Sequence, residues 1–528
     1  MIYFDNAATT PMSKAAITSM TQVMENTFGN PSSIHSHGRA ASKILRKARQ
    51  ELAELLHTNS QHIIFTSGGT ESNNTAIKGY ALAHQDQGKH IITTAIEHHS
   101  VLETIEYLVD KFGFEATYIQ PKNGEITAQQ IKESLREDTI LVSTMYANNE
   151  TGYMLPVKEI ADVVKHHPAA YHVDAVQVIG KLPVYPDELG IDFMSASAHK
   201  FHGPKGIGFL YFNHVKFDKF LHGGDQEDKR RAGTENFAAL KESHNCYQEN
   251  MEHVESLKQQ LLSELDGIHY YINNDSHLLP YVVNLGFLNQ ANDLLLMRLD
   301  LAGISISTGS ACTAGTVEPS HVLKAFYGSD SERLRESIRI SFSEQNTSEE
   351  VRQFTTTLKE ILDECTTEEE IKAIYQAKTE EFNKCPKAER MPGALEVLTK
   401  IKSEGLTPMV VTGSGQTSLL DRLNHNFPGI FQANLMVTAF DVKYGKPNPE
   451  PYLIALKKGG FKPNEALVIE NAPLGVQAGV AAGIFTIAVN TGPLHDNVLL
   501  NEGANLLFHS MPDFNKNWET LQSALKQD

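Results

Sequence analysis

Short β-rich runs alternate with longer amphipathic stretches along most of this sequence. The runs at 62–69, 90–96 and 139–149 are rich in isoleucine and threonine, which favour strands. Helical patterns such as 42–56 place apolar side chains every three to four residues. This alternation predicts an α/β fold around a mostly parallel sheet. In such sheets ligands bind at the carboxyl ends of strands, so polar clusters that follow strands are candidates for a binding site.

The alternation is interrupted near residue 364. A chain of 528 residues is too long for one hydrophobic core, so two to four domains are expected. Two helical stretches, 347–364 and 365–384, follow one another directly, and a second α/β alternation begins after Pro386. We therefore expect a domain boundary at about 364, a helical junction over 365–391 and a further α/β unit over 392–528.

Composition excludes several classes of protein. The formal net charge of −18 argues against a nucleic-acid partner held by phosphate contacts, which requires a basic surface. No apolar run approaches the ~18 residues of a spanning helix, and the N-terminal stretch lacks the basic and apolar regions of a signal peptide. We expect a cytoplasmic protein without a membrane or nucleic-acid partner.

The cysteines are few and scattered. Cys246, Cys312, Cys365 and Cys385 form no CxxC pair, which argues against a disulfide framework and a structural zinc site. Cys312 stands among small residues that supply little to bury it with. Its setting fits a nucleophile or sulfur carrier on an exposed loop, although an inert buried cysteine is the usual alternative.

Three polar clusters follow strand patterns. The turn 66–72 contains glycines and hydroxyls, and it either presents backbone N–H groups to a phosphate or is merely a turn. Asp174 ends a strand with Gln177 close behind, and it is either a functional carboxylate or a helix cap. Lys200 follows a strand and precedes a glycine-rich turn. A lysine beside a phosphate pocket can bond covalently to a carbonyl compound, but an exposed lysine closing the strand is the alternative.

Together these segments resemble the NifS/IscS-type cysteine desulfurases over residues 1 to about 364. The resemblance rests on ten motifs that occur in the family's order: DNAATTP (5–11), GNPSSIHSHGR (29–39), FTSGGTESNN (65–74), EHHSVLET (97–104), NNETG (148–152), HVDAVQ (172–177), SAHKFHGPKG (197–206), RAGTEN (231–236), STGSACT (307–313) and ESIRISF (336–342).

The resemblance implies a fold and an activity. The fold is that of a pyridoxal-phosphate (PLP) dependent transferase of fold type I, similar to class V aminotransferases, with a large domain at about 14–255 and a small domain from 1–13 plus 256–364. The activity is conversion of L-cysteine to L-alanine, with sulfur held as a persulfide on Cys312 for iron–sulfur cluster or thio-cofactor synthesis. A homodimer and a sulfur acceptor such as an iron–sulfur scaffold protein are implied partners.

The resemblance also assigns roles around the cofactor ring. Lys200 looks like the lysine that carries PLP, and Asp174 like the carboxylate that pairs with the pyridinium nitrogen. Gln177 and Asn149 are expected near the phenolic oxygen. His98 is expected to stack on the ring and to move protons together with Lys200.

Phosphate and substrate contacts are implied in the same way. The expected phosphate-binding residues are Gly69, Thr70, Ser197 and His199, with Thr234 reaching in from a second subunit. Arg339 resembles the arginine that grips the substrate carboxylate, where a planar fork suits a bidentate ion pair, and Asn149 also contacts the substrate. Cys312 is expected to attack the substrate sulfur as a thiolate.

Other PLP enzymes of the same fold are the alternatives. A selenocysteine lyase or an aminotransferase would share Lys200 and Asp174 but would not need the Cys312 loop in this form. A protein that binds PLP without turnover would lack one of these residues, and none is missing.

The sequence from about 392 resembles haloacid dehalogenase-type (HAD) phosphatases. Segments 410–415, 443–452 and 468–483 match the second, third and fourth motifs of that family. The matching residues are Thr412 for phosphate, Lys446 for phosphoryl charge, and Glu470 and Asn471 for metal. Asn471 replaces the usual aspartate, which makes magnesium binding doubtful.

The first HAD motif, a strand ending in DxDxT that supplies the nucleophile, is absent from 365–391, where the sequence resembles the tail of a helical cap. We therefore expect an incomplete HAD-like Rossmannoid domain without phosphatase activity. The missing strand lies in the middle of the family's sheet, so its loss leaves edge groups unpaired.

Overall fold

The computed structural model describes residues 1–236, 247–308, 319–363, 390–413, 419–492 and 494–525. Packing divides the chain into two compact units, Met1–Cys365 and Thr366–Asp528. Cys312 lies outside the described residues, as does the expected junction up to residue 389. The finer division of the first unit into a large and a small domain stays a prediction.

The first unit is built on a seven-stranded sheet in the order β2-β8-β7-β6-β5-β3-β4. The strands of the unit are β1 (Ile2–Tyr3), β2 (Ile63–Thr66), β3 (His90–Thr94), β4 (Glu115–Ile119), β5 (Thr139–Met145), β6 (Ala170–Asp174), β7 (Phe193–Ser197), β8 (Gly208–Phe212), β9 (Tyr270–Ile272), β10 (Val282–Phe287), β11 (Ile304–Ser305) and β12 (Ser337–Ser341). Strands β3 to β7 run parallel, and β8 runs antiparallel to both β7 and β2. The expected mixed α/β fold with a mostly parallel sheet is confirmed.

Helices cover this sheet and the rest of the unit. They are α1 (Lys14–Asn26), α2 (Ser36–Leu55), α3 (Gly69–Ala83), α4 (His99–Phe112), α5 (Ala128–Ser134), α6 (Val157–Val164), α7 (Pro186–Leu189), α8 (Tyr247–Glu264), α9 (Asn292–Leu301), α10 (His321–Tyr327), α11 (Arg333–Glu336) and α12 (Ser348–Asp363). Every residue of β5, β6, β7 and β8 is buried, as expected for strands covered on both faces.

The unit also contains a smaller antiparallel sheet, β9-β10-β12. The N-terminal strand β1 pairs in parallel with β11, about three hundred residues later in the chain. Phe4 follows β1 and packs edge-to-face against Phe342 and Phe354, at centroid distances of 5.0 and 5.7 Å. The first residues of the chain are therefore part of the core that also holds β12 and α12.

The described strands of the second unit form two separate parallel sheets. Its strands are β13 (Val410–Val411), β14 (Met436–Val437), β15 (Leu467–Glu470), β16 (Phe485–Val489) and β17 (Leu506–Phe508). Its helices are α13 (Ala394–Ser403), α14 (Leu419–Asn426), α15 (Glu450–Gly459), α16 (Pro473–Ala481), α17 (Asp496–Asn501) and α18 (Met511–Leu525). Strands β13 and β14 form one parallel pair, and β15, β16 and β17 form a separate parallel sheet.

This separation is what loss of the first HAD strand predicts, because that strand belongs between β13 and β15. Among the described residues, no strand joins these two sheets. Ile469 of β15 is 38% exposed, although an interior parallel strand is normally covered on both faces.

Two absences hold for the part of the chain that the structure describes. Its helices are all too short or too polar to cross a membrane. No group of three or more histidine, cysteine, aspartate or glutamate side chains is placed there to hold a metal ion.

Candidate active site

The polar residues expected from sequence meet at the carboxyl ends of β6 and β7. Asp174 ends β6 and Ser197 ends β7, and both are buried. Lys200 follows β7 in a single 3₁₀ turn, Ala198–Lys200. Neighbouring parallel strands bring their carboxyl ends to one edge, and this edge of the sheet is the candidate site.

The turn before α3 forms one side of the site. Gly68 adopts φ +151°, which favours glycine, and α3 begins at Gly69. A Cβ on Gly69 would lie 2.7 Å from Val176 Cγ2 and 3.7 Å from Ser197 Cβ, so only glycine allows this approach. The structure thus brings Gly69, exposed Thr70 and Ser197 together at the N-terminus of a 15-residue helix, a setting that favours an anion.

His199 lies beside this turn in a setting that keeps it neutral. Its Nδ1 lies 3.1 Å from Thr9 Oγ1. Burial, reinforced by the nearby charge of Lys200, lowers the pKa of His199 to about 4. A neutral imidazole can donate one N–H to a phosphate without adding charge.

A hydrogen-bonded network that the sequence analysis missed connects Asp174 to His98. Asn73 Nδ2 donates to Asp174 Oδ2 at 2.8 Å and to Ser100 Oγ at 2.9 Å. Ser100 Oγ lies 2.8 Å from His98 Nδ1. Asn73 stands within the quoted motif 65–74, one turn into α3, which was the only available signal for its role. The network holds a carboxylate and an imidazole in fixed relation.

The tautomer of His98 follows from its backbone contact. Its Nδ1 accepts the N–H of Ser100 at 3.1 Å and caps α4, so in the neutral ring the proton is on Nε2. Burial lowers the pKa of His98; Asp174 opposes the shift and Lys200 adds to it. The ring is therefore neutral near pH 7 and presents its Nε2–H as a donor.

Lys200 and Gln177 converge on one carbonyl oxygen. Lys200 Nζ donates to Ala7 O at 2.7 Å and to Ala8 O at 2.8 Å. Gln177 Nε2 donates to the same Ala7 O at 3.1 Å. The N-terminal motif 5–11 thus places the amide of Gln177 next to the amine expected to carry the cofactor.

Arg339 is buried and held from two sides. Its Nη1 donates to Asn149 O at 2.8 Å and its Nη2 to Asp5 Oδ1 at 2.6 Å. Its Nε, also buried, has no hydrogen-bond partner among the described residues. Asp5 was not singled out from sequence, although it opens the motif 5–11. The fork retains a donor for a further carboxylate oxygen.

Two desulfurase residues remain, Thr234 and Cys312, and Cys312 lies outside the described residues. Thr234 is exposed in the first unit. The segment that contains Cys312 is flanked by described residues that contact the site. Ser307 pairs with Arg339 through backbone hydrogen bonds of 2.5 and 3.2 Å, and Ser320 Oγ donates to Glu150 Oε2 at 2.5 Å.

The donor set fits PLP. The buried carboxylate of Asp174 suits the pyridinium nitrogen, and the N-terminus of α3 with Ser197 and His199 suits the phosphate. Lys200, which carries the amine, directly follows His199 in the chain. The unpartnered Nε of Arg339 suits the carboxylate of an amino-acid substrate.

The HAD-like residues form a separate cluster in the second unit. Lys446 Nζ contacts Glu470 Oε1 and donates to Val411 O at 3.2 Å. Tyr452 OH donates to Glu470 Oε1 at 2.7 Å, a contact that the sequence did not indicate. Lys446 and Glu470 are thus brought together next to the strand end that precedes Thr412.

Asn471 and Asp441 add little to that cluster. Asn471 is exposed, and its backbone N–H donates to Glu470 Oε2 at 3.1 Å. Asp441 pairs with Lys458 at 2.7 Å and accepts from Thr438, which lowers the pKa of its carboxyl. Asp441 is therefore committed to contacts of its own.

Comparison with known proteins agrees with both family resemblances, that of the first unit to cysteine desulfurases and that of the second to haloacid dehalogenase-type proteins. The aminotransferase class-V model matches residues 2–354, and the haloacid dehalogenase-like hydrolase model matches residues 332–489. IscS 1 of Bacillus subtilis is 48% identical over 363 residues, covering 66% of this chain and 96% of that protein. The cysteine desulfurase IscS of Dictyoglomus turgidum is 43% identical over 336 residues, covering 61% of this chain and 85% of that protein.

A solved NifS-like protein superimposes with a TM-score of 0.64 at 36% identity, covering 68% of this chain and 99% of its own. The chain therefore belongs to the class-V aminotransferase family, among its pyridoxal-phosphate-dependent cysteine desulfurases, with a haloacid dehalogenase-like unit fused behind it.

Proposed function

We propose that the first unit converts L-cysteine to L-alanine at the cluster around Lys200 and passes the sulfur to Cys312. The observation that carries this proposal is the network from Asp174 through Asn73 and Ser100 to His98. It places a buried carboxylate and a neutral imidazole together near the amine of Lys200, whose charge affects His98. Groups with perturbed pKa values cluster at functional sites, which supports this assignment.

Different residues of the cluster would bind the ring nitrogen, the phenolic oxygen and the phosphate of the cofactor. Asp174 would pair with the ring nitrogen, while Gln177 and Asn149 would contact the phenolic oxygen. The phosphate would be held by Gly69, Thr70, Ser197 and His199 at the start of α3. When bound, PLP supplies an electron sink for the bonds at the substrate α-carbon.

Lys200 and His98 would move the protons. In the structure the Lys200 amine is held by the carbonyl oxygens of Ala7 and Ala8. His98 offers Nε2 for transfer because Nδ1 is occupied by Ser100. Arg339 would orient the substrate through its carboxylate, using the N–H at Nε.

The sulfur step balances without an external oxidant or reductant. The thiolate of Cys312 forms a bond to the sulfur of the substrate cysteine, and the carbon–sulfur bond of that substrate breaks. The electron pair stays on carbon, which takes up a proton and ends as the methyl group of alanine. The products are alanine and a persulfide on Cys312, which an acceptor then reduces or receives.

A second copy of this chain would complete the site. Large apolar side chains are exposed near the N-terminus: Met24, Phe28 and Ile34 are 60%, 78% and 92% exposed. A contiguous apolar surface of such side chains is typical of a protein interface. Thr234 is also exposed and would reach the partner's phosphate site. Sedimentation should show a dimer, and a monomer with full activity would contradict this part of the proposal.

The sulfur acceptor is proposed to be a protein of iron–sulfur cluster assembly. The named relatives are IscS proteins, and a persulfide needs an acceptor outside the enzyme. Transfer of labelled sulfur from cysteine to a purified scaffold protein tests this role. Transfer only to a low-molecular-weight thiol would argue against it.

The second unit would have no phosphatase activity. Phosphoryl transfer of the HAD type needs a carboxylate nucleophile on a strand between those of the second and fourth motifs, and the described residues contain no strand between β13 and β15. Glu470 is engaged by Lys446 and Tyr452, and Asp441 by Lys458. With Asn471 in place of an aspartate, magnesium binding there is doubtful.

The proposal for the first unit is tested with the purified full chain. After incubation with PLP and removal of excess, we expect visible absorption from bound cofactor. Addition of L-cysteine should then yield alanine and, with a reductant, sulfide in equal amounts. Bound cofactor without either product would overturn the assigned reaction.

A further inference from the structure

Lys181 is a buried amine that the proposed reaction leaves unexplained. Its residue is 7% exposed, and within the described residues its Nζ has no hydrogen-bond partner. Burial lowers the pKa of Lys181 well below its usual value; Lys200 and Arg339 act in the same direction, and Glu344 opposes them. Burying a lysine amine without a partner is unfavourable, so its retention calls for a compensating contact.

That contact is the face of Tyr281. Lys181 Nζ lies 3.8 Å from the centroid of the Tyr281 ring. An amine or ammonium at this distance is attracted to the negative face of the ring. Tyr281 precedes β10 and is 1% exposed, so its ring has no freedom to turn away. Lys181 therefore contributes a contact on one face of a ring that burial already confines.

The hydroxyl of Tyr281 contacts Gln177. It lies 2.6 Å from Gln177 Oε1 and 2.8 Å from Gln177 O. Burial raises the pKa of Tyr281 far above its usual value, so the hydroxyl keeps its hydrogen and donates it. The single hydroxyl hydrogen is shared between two acceptors of the same residue, with the shorter contact at the amide oxygen, so the hydroxyl restrains the side chain of Gln177.

These contacts leave only one orientation for the Gln177 amide. Ala7 O can only accept, so the group 3.1 Å from it must be the amide nitrogen. The amide oxygen then faces the hydroxyl of Tyr281. One amide hydrogen goes to Ala7 O, next to the amine of Lys200 that shares this acceptor. The other is the one that Gln177 has to offer to a cofactor.

We propose that Tyr281 and Lys181 are positioning residues of the desulfurase, which hold the Gln177 amide so that its N–H faces the phenolic oxygen of PLP. This inference rests on the proposed role of Gln177. Lys181 contacts Tyr281, and Tyr281 contacts Gln177, so both would act through Gln177. A hydrogen bond donated to the phenolic oxygen favours its ionised form, so losing that alignment raises the pH at which the bound cofactor changes colour.

The test is a pH titration of the cofactor absorption in the full chain without substrate. Gln177→Ala should raise the titration midpoint by about 1 pH unit. Tyr281→Phe should raise it by at least half of that shift. The double variant should match Gln177→Ala alone, because both changes remove the same hydrogen bond. Tyr211→Phe is the matched control, since it removes another buried phenol hydroxyl, one bonded to Asp187 away from this cluster.

The outcomes distinguish failure of the proposed role of Gln177 from failure of the positioning role of Tyr281 and Lys181. An unchanged midpoint in Gln177→Ala would refute the role of Gln177 in the proposed function. A shift in Gln177→Ala together with a Tyr281→Phe midpoint equal to that of Tyr211→Phe would overturn the positioning role. Should Tyr281→Phe fail to fold, Lys181→Met gives the second measurement. It keeps the buried stem and removes the amine, so an upward shift is expected, and an unchanged midpoint counts against the proposal.

Discussion

Arg339 Nη2 donates to Asp5 Oδ1 at 2.6 Å, so the arginine expected to grip the substrate is already paired with a carboxylate. Arg339 is 2% exposed, whereas the Asp5 side chain is 20% exposed. A buried guanidinium without a counter-charge is costly, and Asp5 removes that cost before substrate arrives. The substrate carboxylate must therefore share Arg339 with Asp5 or compete for it.

Asp5→Asn should lower the KM for L-cysteine several-fold and also reduce stability. The amide keeps the shape but removes the competing charge, so the substrate becomes the only counter-ion of Arg339. Without substrate the guanidinium is left uncompensated, which should cost about 1–3 kcal/mol of unfolding free energy. Steady-state kinetics and thermal unfolding measure the two effects.

The matched control for that variant is Asp138→Asn, which removes one of the two carboxylate partners of exposed Arg136. It should change both quantities little, because exposed ion pairs contribute about 0–1 kcal/mol. A raised KM in Asp5→Asn would show that Asp5 orients Arg339 more than it competes with substrate.

Lys200→Ala should abolish the absorption of covalently held cofactor and all turnover. Its amine is the group at the end of β7 that the fold holds next to Gln177. Lys205→Ala, at an exposed lysine nearby, is the control and should keep both properties. An unchanged spectrum in Lys200→Ala would refute the assignment of the cofactor lysine.

Cys312→Ser should bind PLP and L-cysteine but release neither alanine nor sulfide. A hydroxyl is a poor nucleophile toward sulfur, since it is not ionised near pH 7. Spectra with cysteine report binding, and product assays report turnover. Cys365→Ser should remain active. Full activity of Cys312→Ser would favour a lyase that needs no thiol.

Glu97→Gln should stabilise the protein increasingly as pH rises toward 8. Full burial raises the pKa of Glu97 to about 8, and its Oε2 has no partner among the described residues. The unfolded chain loses this proton near pH 4.5, so the carboxyl destabilises the fold progressively between that pH and about 8. The gain is expected to be on the order of 1–3 kcal/mol at pH 8 and near zero at pH 4.

Denaturant unfolding at several pH values measures this effect. Glu103→Gln, at an exposed glutamate on α4, is the control and should show no such trend. A stabilisation that does not depend on pH would mean that Glu97 is not protonated in the folded protein.

The full chain should not hydrolyse sugar phosphates or pyrophosphate in the presence of magnesium. The retained residues can bind charge, but none supplies a nucleophile in line with phosphorus. A panel assay with phosphate detection is the measurement. Turnover that disappears in Asp441→Asn would show that this carboxylate serves as nucleophile despite its pairing with Lys458.

Sequence motifs identified the main residues of the site but not the hydrogen bonds that join them to other residues. Asp174, Lys200 and Arg339 follow from strand patterns and from resemblance, because each stands in a recognisable motif. Asn73 bonds to Asp174 across 101 positions of the chain, and Tyr281 to Gln177 across 104. Such pairs are set by how helices and strands pack, and local sequence carries no record of that packing.

In the second unit, a motif that is missing from the sequence predicted a feature of the strand arrangement. The absence of a DxDxT segment predicted that one strand is missing between β13 and β15, and in the described part of the unit these two strands belong to separate sheets. The contact of Tyr452 with Glu470 could not be predicted, since it depends on where α15 lies relative to β15.

The pairing of β1 with β11, and of Asp5 with Arg339, also has a consequence for how the protein is made. The two ionic partners are 334 residues apart. At the usual speed of synthesis, the ribosome needs roughly 15–70 s to cover that distance. During this interval Phe4 lacks Phe342 and Phe354, the rings that later cover it. β1 can therefore pair only after β11 has been made, and Phe4 is covered only after β12 and α12 have followed.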